Sequence, residues 1–140
     1  MNLDNARRLV DAALIKAEAL KLKPLAIAVF DARGCLKAFV AQDGTSLLRA
    51  EVAQGKAYGA LALGVGSRAL FKRAQEQAFF VSAVNGLAQG KVIPVPGGVL
   101  IRDSSGALLG AVGISGDTSD NDEACCIAGI EAIGLHADPG

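Results

Sequence analysis

The stretch of sequence that decides the fold is residues 94–130, which read PVPGGVLIRDSSGALLGAVGISGDTSDNDEACCIAGI. Inside it, apolar runs at residues 99–102 and 107–114 stand on either side of an Asp-Ser-Ser-Gly turn at residues 103–106. This pattern predicts a β-hairpin, because strands that are joined by so short a turn pair antiparallel.

The same stretch ends at the beginning of a helix. Residues 115–118 read as a loop, and Ser119 is predicted to cap the helix, with Asp122 three residues further on as the capping-box acid. Apolar spacing predicts that this helix continues to about residue 135, which leaves HADPG as the tail.

A second hairpin and three further helices are predicted upstream. Apolar residues recur at helical spacing over residues 3–21, and the continuous apolar run LAIAVF at residues 25–30 is typical of a buried strand. The pattern then gives a turn at residues 31–34, a return strand at 36–40, and helices at 47–63 and 68–77. Residues 79–84 fit either a strand or the end of a helix.

These elements predict one α+β domain over residues 1–140. The length is that of a single domain, and hydrophobic residues make up 51% of the chain, which is ample for a core. The economical arrangement is a single antiparallel β-sheet of four to five strands that is flanked by helices.

The charge balance bears on possible partners. Basic and acidic residues both number 14, so the basic excess that is typical of nucleic-acid binding is missing. Residues 1–70 carry a net charge of +4 and residues 71–140 a net charge of −4, which permits self-association into a homo-oligomer. No apolar run reaches the roughly 18–20 residues that a membrane helix needs. We therefore expect neither nucleic acid nor a membrane as a partner.

Sequence features indicate a cytoplasmic protein. The N-terminus lacks a basic segment followed by an apolar one, so it does not read as a signal peptide. Cys35 and the adjacent pair Cys125 and Cys126 make a poor disulfide framework, and we expect all three to be reduced.

No motif for metal or nucleotide chemistry is found. The sequence has no CxxC, HExxH or GxxxxGK[ST] pattern, and its single histidine, His136, lies in the tail. We therefore predict no metal site.

Two acidic residues are candidates for acid–base catalysis. Asp122 and Glu123 lie in the first turn of the last predicted helix. Carboxylates there either cap the helix and interact favourably with its dipole, or face a pocket as general acid and base. The sequence leaves both interpretations open.

Basic residues around the second helix are candidates for ligand binding. Lys56 and Tyr58 lie in the small-residue segment AQGKAYGA. A lysine there either extends to the surface or points into a cleft as the partner of an anion. Arg49 and Arg68 flank this segment as further candidates.

A proline- and glycine-rich turn is the remaining candidate. Pro96, Gly97 and Gly98 restrict the backbone to an extended and then tightly turned path. The N–H groups of such a turn either bind an anion such as a carboxylate or simply lead into the following strand.

Several of these motifs occur together in a known family. They are V-x-D-x-x-G at residues 29–34, A-x-x-K-A-Y at 53–58, P-x-P-G-G at 94–98, GAVGISG at 110–116, and Asp122-Glu123. In this combination the chain resembles the GlcG/HbpS family over nearly its whole length. That family includes haem-binding HbpS and the C-terminal domain of PduO-type corrinoid adenosyltransferases.

The resemblance implies an α/β/α domain of profilin-like appearance that binds haem or a related tetrapyrrole. It also implies assembly into homo-oligomers and a place in a catabolic operon. His136 is the single histidine, so ligation of a haem iron by histidine is not expected. Haem would bind through Tyr58, Thr118 or a cysteine, or through its propionates and apolar faces.

The alternative function is that of a small cofactor-free enzyme, similar to a lyase or isomerase. Its substrate would be a carboxylate-bearing catabolic intermediate such as an aromatic acid. Lys56 or one of the two arginines would hold the carboxylate, and Asp122 or Glu123 would move a proton.

Overall fold

Five helices and five strands make up the computed structural model, which describes residues 1–140. In chain order they are α1 (Leu3–Ala19), β1 (Ala26–Asp31), β2 (Leu36–Ala41), α2 (Arg49–Leu63), α3 (Ser67–Glu76), α4 (Ala78–Leu87), β3 (Gly98–Arg102), β4 (Leu108–Ser115), α5 (Ser119–Ala132) and β5 (His136–Asp138). All strands pair antiparallel in the order β2-β1-β4-β3-β5. The predicted α+β fold with a single antiparallel sheet is therefore confirmed.

Helices cover both faces of the sheet because side chains alternate along its central strands. Ile27, Val29 and Val112 point to one face, where they pack with buried residues of α1 and α5. Ala28 and Ala111 point to the other face and pack with α2. Helices α3 and α4 share a smaller apolar cluster beside α2. The result is a three-layer α/β/α arrangement.

Glycines allow α2 to lie unusually close to the sheet. A Cβ atom on Gly113 would collide with the carbonyl oxygen of Ala53, and one on Gly98 would collide with the carbonyl oxygen of Lys56. Both glycines are strand residues that face α2, and they are paired to each other. A side chain at either position would push the helix away from the sheet, so their role is close approach of backbones.

The ambiguous apolar segment at residues 79–84 belongs to α4. This helix follows α3 with a break only at Gln77, whose φ and ψ of −137° and 58° are not helical. Val81 is the one buried residue of α4, although the helix is strongly apolar. Propensity alone could not separate strand from helix here, because the apolar residues follow neither period cleanly.

The last helix begins and ends at different residues from those predicted. Its N-cap is Thr118 and not Ser119, since the Thr118 hydroxyl accepts a hydrogen bond from the N–H of Asn121. It ends at Ala132 instead of continuing to residue 135. Gly134, at φ 76°, follows in the left-handed conformation that commonly ends helices.

The tail forms the edge strand β5, which the sequence did not predict. Its residues pair with β3, and Arg102 Nε donates to Asp138 Oδ2 at 2.7 Å. A strand of three residues carries no periodic signal, and its partner is distant in the sequence, so only tertiary pairing defines it.

The close approach of α2 predicts the effect of adding one methyl group. Gly113→Ala should lower the free energy of unfolding by about 3 kcal/mol, because the helix must shift from the sheet. Urea denaturation followed by circular dichroism measures this. Gly86→Ala is the matched control: nothing lies within 4 Å of its added Cβ, so stability should rise by up to about 1 kcal/mol. Equal effects of both substitutions would contradict the close-approach explanation.

Candidate functional site

A buried ion pair joins the two helical layers at one end of the sheet. Lys56 of α2 donates from Nζ to Asp122 Oδ2 of α5 at 2.9 Å, and to the carbonyl oxygen of Ile114 at 2.8 Å. The Lys56 and Asp122 side chains are only 2% and 1% exposed. Two sequence candidates that stand 66 residues apart are thus in direct contact.

The Gly97-Gly98 turn encloses this ion pair. A Cβ atom on Gly97 would lie 2.9 Å from Lys56 Nζ and 3.0 Å from Asp122 Cβ, and the residue has φ 108°. Its carbonyl accepts from the N–H of Ile114 at 2.8 Å, while the N–H of Gly98 donates to Ser67 Oγ at 2.7 Å. The N–H of Gly98 was a candidate for binding an anion. It is instead hydrogen-bonded within the protein.

Burial and hydrogen bonding compete at Asp122. Burial raises the pKa of the Asp122 carboxyl, and the adjacent Lys56 ammonium opposes that shift. The second oxygen, Oδ1, accepts from the N–H of Asp117 at 3.1 Å. Both carboxylate oxygens thus have protein partners. Neither partner is the N–H of Ser119, so the prediction of Asp122 as the capping-box acid was wrong.

A second ion pair lies between α3 and α5. Arg68 Nε donates to both oxygens of Glu123, at 2.8 and 3.1 Å, and the same guanidinium pairs with Asp120. These hydrogen bonds raise the pKa of Arg68 further. Arg49 is half-buried and donates to Ser115 Oγ at 3.2 Å. Both predicted arginines therefore contact protein groups near the ion pair.

An open groove of about 630 Å³ lies on the other side of α2. We call it the Tyr58 groove. Its walls come from α2, from the end of β1 with the following turn, and from the segment before the proline-rich turn. The lining residues are Phe30, Gly34, Leu48, Glu51, Val52, Gln54, Gly55, Tyr58, Gly90, Lys91 and Ile93.

Tyr58 and Lys91 stand together in this groove. The Lys91 ammonium lies 5.9 Å from the centre of the Tyr58 ring, within cation–π distance. The groove floor depends on Gly55, because a Cβ there would lie 2.5 Å from Ile93 Cγ1. The N–H of Ile93 donates to the Gly55 carbonyl at 3.2 Å, which holds the 91–93 segment against the helix.

The sequence candidates thus fall into three places: the buried ion pair, the contacts of Arg49, Arg68 and Glu123 near it, and the groove. Lys56, Asp122 and the two glycines come together in the buried ion pair, with Pro96 also buried beside them. Tyr58 alone lines the groove. Lys91 was missed by the sequence analysis. A lone exposed lysine gives no sign in the sequence of the ring that it will approach.

The other potential ligands of a metal or haem iron lie elsewhere. All three cysteines are free; Cys125 and Cys126 are buried, and Cys35 is exposed. Burial raises the pKa of the Cys125 thiol to about 11 and that of Cys126 well above its usual value. His136 is exposed on the edge strand β5. No three His, Cys, Asp or Glu side chains are placed to share a metal ion.

Comparison with known proteins assigns the chain to a family. It belongs to the family described as haem degrading protein HbpS-like, which matches residues 1–131. The chain is 29% identical to the corrinoid adenosyltransferase PduO of Citrobacter freundii. This match extends over 136 residues, which are 97% of this chain. It spans only 40% of the length of that relative. The resemblance that the motifs indicated is therefore confirmed.

Solved structures share the fold over most of the chain. A PduOC–haem complex superposes with a TM-score of 0.86 at 27% identity, and the match covers 96% of both chains. A double mutant of Streptomyces reticuli HbpS superposes with a TM-score of 0.78 at 23% identity, covering 94% of this chain and 85% of that one. In this chain, no helix is long and apolar enough to cross a membrane.

The buried ion pair predicts a stability effect that separates two roles of Lys56. Lys56→Met should lower the free energy of unfolding by about 3–5 kcal/mol, because Asp122 is left buried without its partner. The Lys56→Met/Asp122→Leu double variant should recover part of this loss. Urea denaturation provides the values.

Lys72→Met is the control, since Lys72 is an exposed lysine of α3 and its loss should change stability by less than about 0.5 kcal/mol. If Lys56→Met were as stable as the parent protein, the ammonium would be free to face a ligand, as one interpretation of the sequence held.

Proposed function

We propose that this chain binds haem in the Tyr58 groove. The observation that carries the proposal is the joint presence of a phenol and an ammonium in an open groove with apolar walls. A haem offers matching features: a flat apolar ring system, an iron that takes an axial ligand, and carboxylates at its edge. Membership of the HbpS-like family and the likeness to the PduOC–haem complex support the same ligand.

Tyr58 is the residue we propose would bind the haem iron. Tyrosine ligates haem iron in some haem proteins, as histidine and cysteine thiolate do in others. The buried cysteines are poor thiolate donors because their pKa values are raised. Cys35, Thr118 and His136 are not among the residues that line the groove. Tyr58 is therefore the candidate ligand that the groove itself supplies.

Lys91 is the residue we propose for a haem carboxylate. It is exposed, and its only partner within the protein is the face of the Tyr58 ring. An ammonium in this position can form a charge-assisted hydrogen bond with a carboxylate. Glu51, on the same groove, would repel a carboxylate and so favour one orientation of the ligand.

The remaining predicted site residues take an indirect part in this proposal. Lys56 holds one side of α2 against α5 through its ion pair with Asp122. The opposite side of α2 lines the groove. Arg49, Arg68, Pro96, Gly97 and Gly98 support the same end of the sheet. Asp122 and Glu123 would have to leave their ion pairs to act as acid and base, so the enzyme alternative is not favoured.

Three further properties belong to the proposal. They are assembly into a homo-oligomer, a cytoplasmic location and a place in a catabolic operon. The opposite net charges of the two halves of the chain permit self-association. Free cysteines suit a reducing compartment.

Haem titration of the purified protein, followed by the Soret band, tests the proposed site. The parent protein should give a saturable, shifted band. Tyr58→Phe should weaken binding by about tenfold or more and alter the band, because the iron loses its oxygen ligand. Lys91→Ala should weaken binding only about two- to fivefold, as expected for an exposed ion pair.

His136→Ala is the control, and it should leave both affinity and band position unchanged. Saturable binding that is unaffected by Tyr58→Phe would exclude Tyr58 as the iron ligand. Binding that is unaffected by both Tyr58→Phe and Lys91→Ala would place the haem outside the Tyr58 groove. An absent Soret shift in the parent protein would overturn haem binding itself.

A further inference from the structure

The wall of the Tyr58 groove that carries Lys91 belongs to an irregular segment, residues 88–93, which follows α4. Its backbone turns sharply at Gln89 and Gly90, whose φ values of 56° and 77° both lie in the left-handed region. Glycine adopts this conformation freely, whereas it is uncommon for other residues. Because no helix or strand orders the segment, its path depends on the hydrogen bonds that its N–H groups make with neighbouring elements.

Asn85, in the last turn of α4, accepts two of these hydrogen bonds. Its side-chain oxygen Oδ1 accepts from the N–H of Val92 at 2.9 Å. Its backbone carbonyl accepts from the N–H of Gly90 at 2.8 Å. Gly90 and Val92 are the residues on either side of Lys91. Asn85 therefore holds the chain immediately before and immediately after the lysine that we propose for a haem carboxylate.

The same hydrogen bonds keep the Lys91 side chain on the groove. The side chain of Val92 is fully buried in the apolar cluster that α3 and α4 share, and Tyr58 packs against this cluster. With Val92 held inward, Lys91 is exposed, and its ammonium lies 5.9 Å from the centre of the Tyr58 ring. Loss of the Asn85 carboxamide would release the Val92 N–H, and the ammonium would no longer be held above the groove.

We infer that Asn85 is a positioning residue of the Tyr58 groove and that it gives the groove a preference for porphyrins with free carboxylates. A charge-assisted hydrogen bond requires a nitrogen–oxygen distance of about 2.7–2.9 Å, so the ammonium of Lys91 must be held in place to form one. The inference rests on the proposed haem site. It adds the residue that places the ammonium and the class of porphyrin that the site selects.

Parallel Soret titrations with ferric haem and with its dimethyl ester test the inference. The ester has the same ring and iron but no free carboxylate, so it measures binding without the contribution of Lys91. The parent protein should bind haem about two- to fivefold more tightly than the ester, as expected for an exposed ion pair. Asn85→Ala should bring this ratio to about one, while the affinity for the ester changes by less than about twofold.

Two further variants test whether Asn85 acts through Lys91. Asn85→Ala combined with Lys91→Ala should give the same ratio as Lys91→Ala alone, because both substitutions remove one and the same interaction. Asn85→Ser is a milder truncation whose hydroxyl is too short to take the place of Oδ1. It should show the same loss of preference, and it replaces Asn85→Ala in the comparison if that variant does not fold.

Asn2→Ala is the matched control. The Asn2 carboxamide also accepts a hydrogen bond from a backbone N–H, that of Asn5 at 2.8 Å, but it caps α1 and does not line the groove. This variant should lose thermal stability and keep the preference of the parent protein for free carboxylates. If Asn85→Ala gave that same result, lower stability with an unchanged ratio, its role would be structural and the inference would be overturned.

The titrations also separate failure of the inference from failure of the proposed haem site. A parent protein without a saturable Soret shift would overturn haem binding and the inference together. A parent protein that binds haem and ester equally would overturn the inference and the role of Lys91, but not haem binding. A preference that is lost in Lys91→Ala and kept in Asn85→Ala would overturn only the role of Asn85.

Discussion

The ion pair between Lys56 and Asp122 is the constraint on which the rest of the structure depends. Two charges that are almost fully excluded from water must remain together, because either one alone would be strongly destabilising. Since Lys56 belongs to α2 and Asp122 to α5, the pair fixes the two helical layers across the end of the sheet. The carbonyl of Ile114 completes the contact, so β4 is held as well.

The glycine positions make this contact possible and place the groove behind it. Gly98 and Gly113 let the α2 backbone rest directly on the sheet, which brings the Lys56 ammonium within reach of α5. The opposite side of α2 is then left to face the segment before the proline-rich turn. Gly55 allows that segment to approach, and Tyr58 and Lys91 meet in the resulting groove. One side of α2 therefore carries the buried ion pair, and the other side lines the Tyr58 groove.

Much of the fold could be predicted from local patterns, whereas the site could be predicted only in part. Both hairpins were recognised because apolar runs flank short turns, and this signal lies within a few residues. Lys56 was equally compatible with the surface and with a cleft, because its partner lies 66 residues away. Asp122 was interpreted as a cap or an acid for the same reason. Tyr58 was recognised from the sequence as a candidate for ligand binding. Lys91, which lies beside its ring in the structure, was not.

By itself, the sequence determined the type and order of most elements, the antiparallel pairing within each hairpin, and membership of the family. These properties depend on periodicity, turn chemistry and short motifs, which are all local. Only the tertiary structure decided that the candidate charges pair with each other, that α4 leaves its apolar face uncovered, and that the tail joins the sheet. Those outcomes depend on burial and on contacts between distant residues, because the free energy of a charge or an apolar side chain is set by its surroundings.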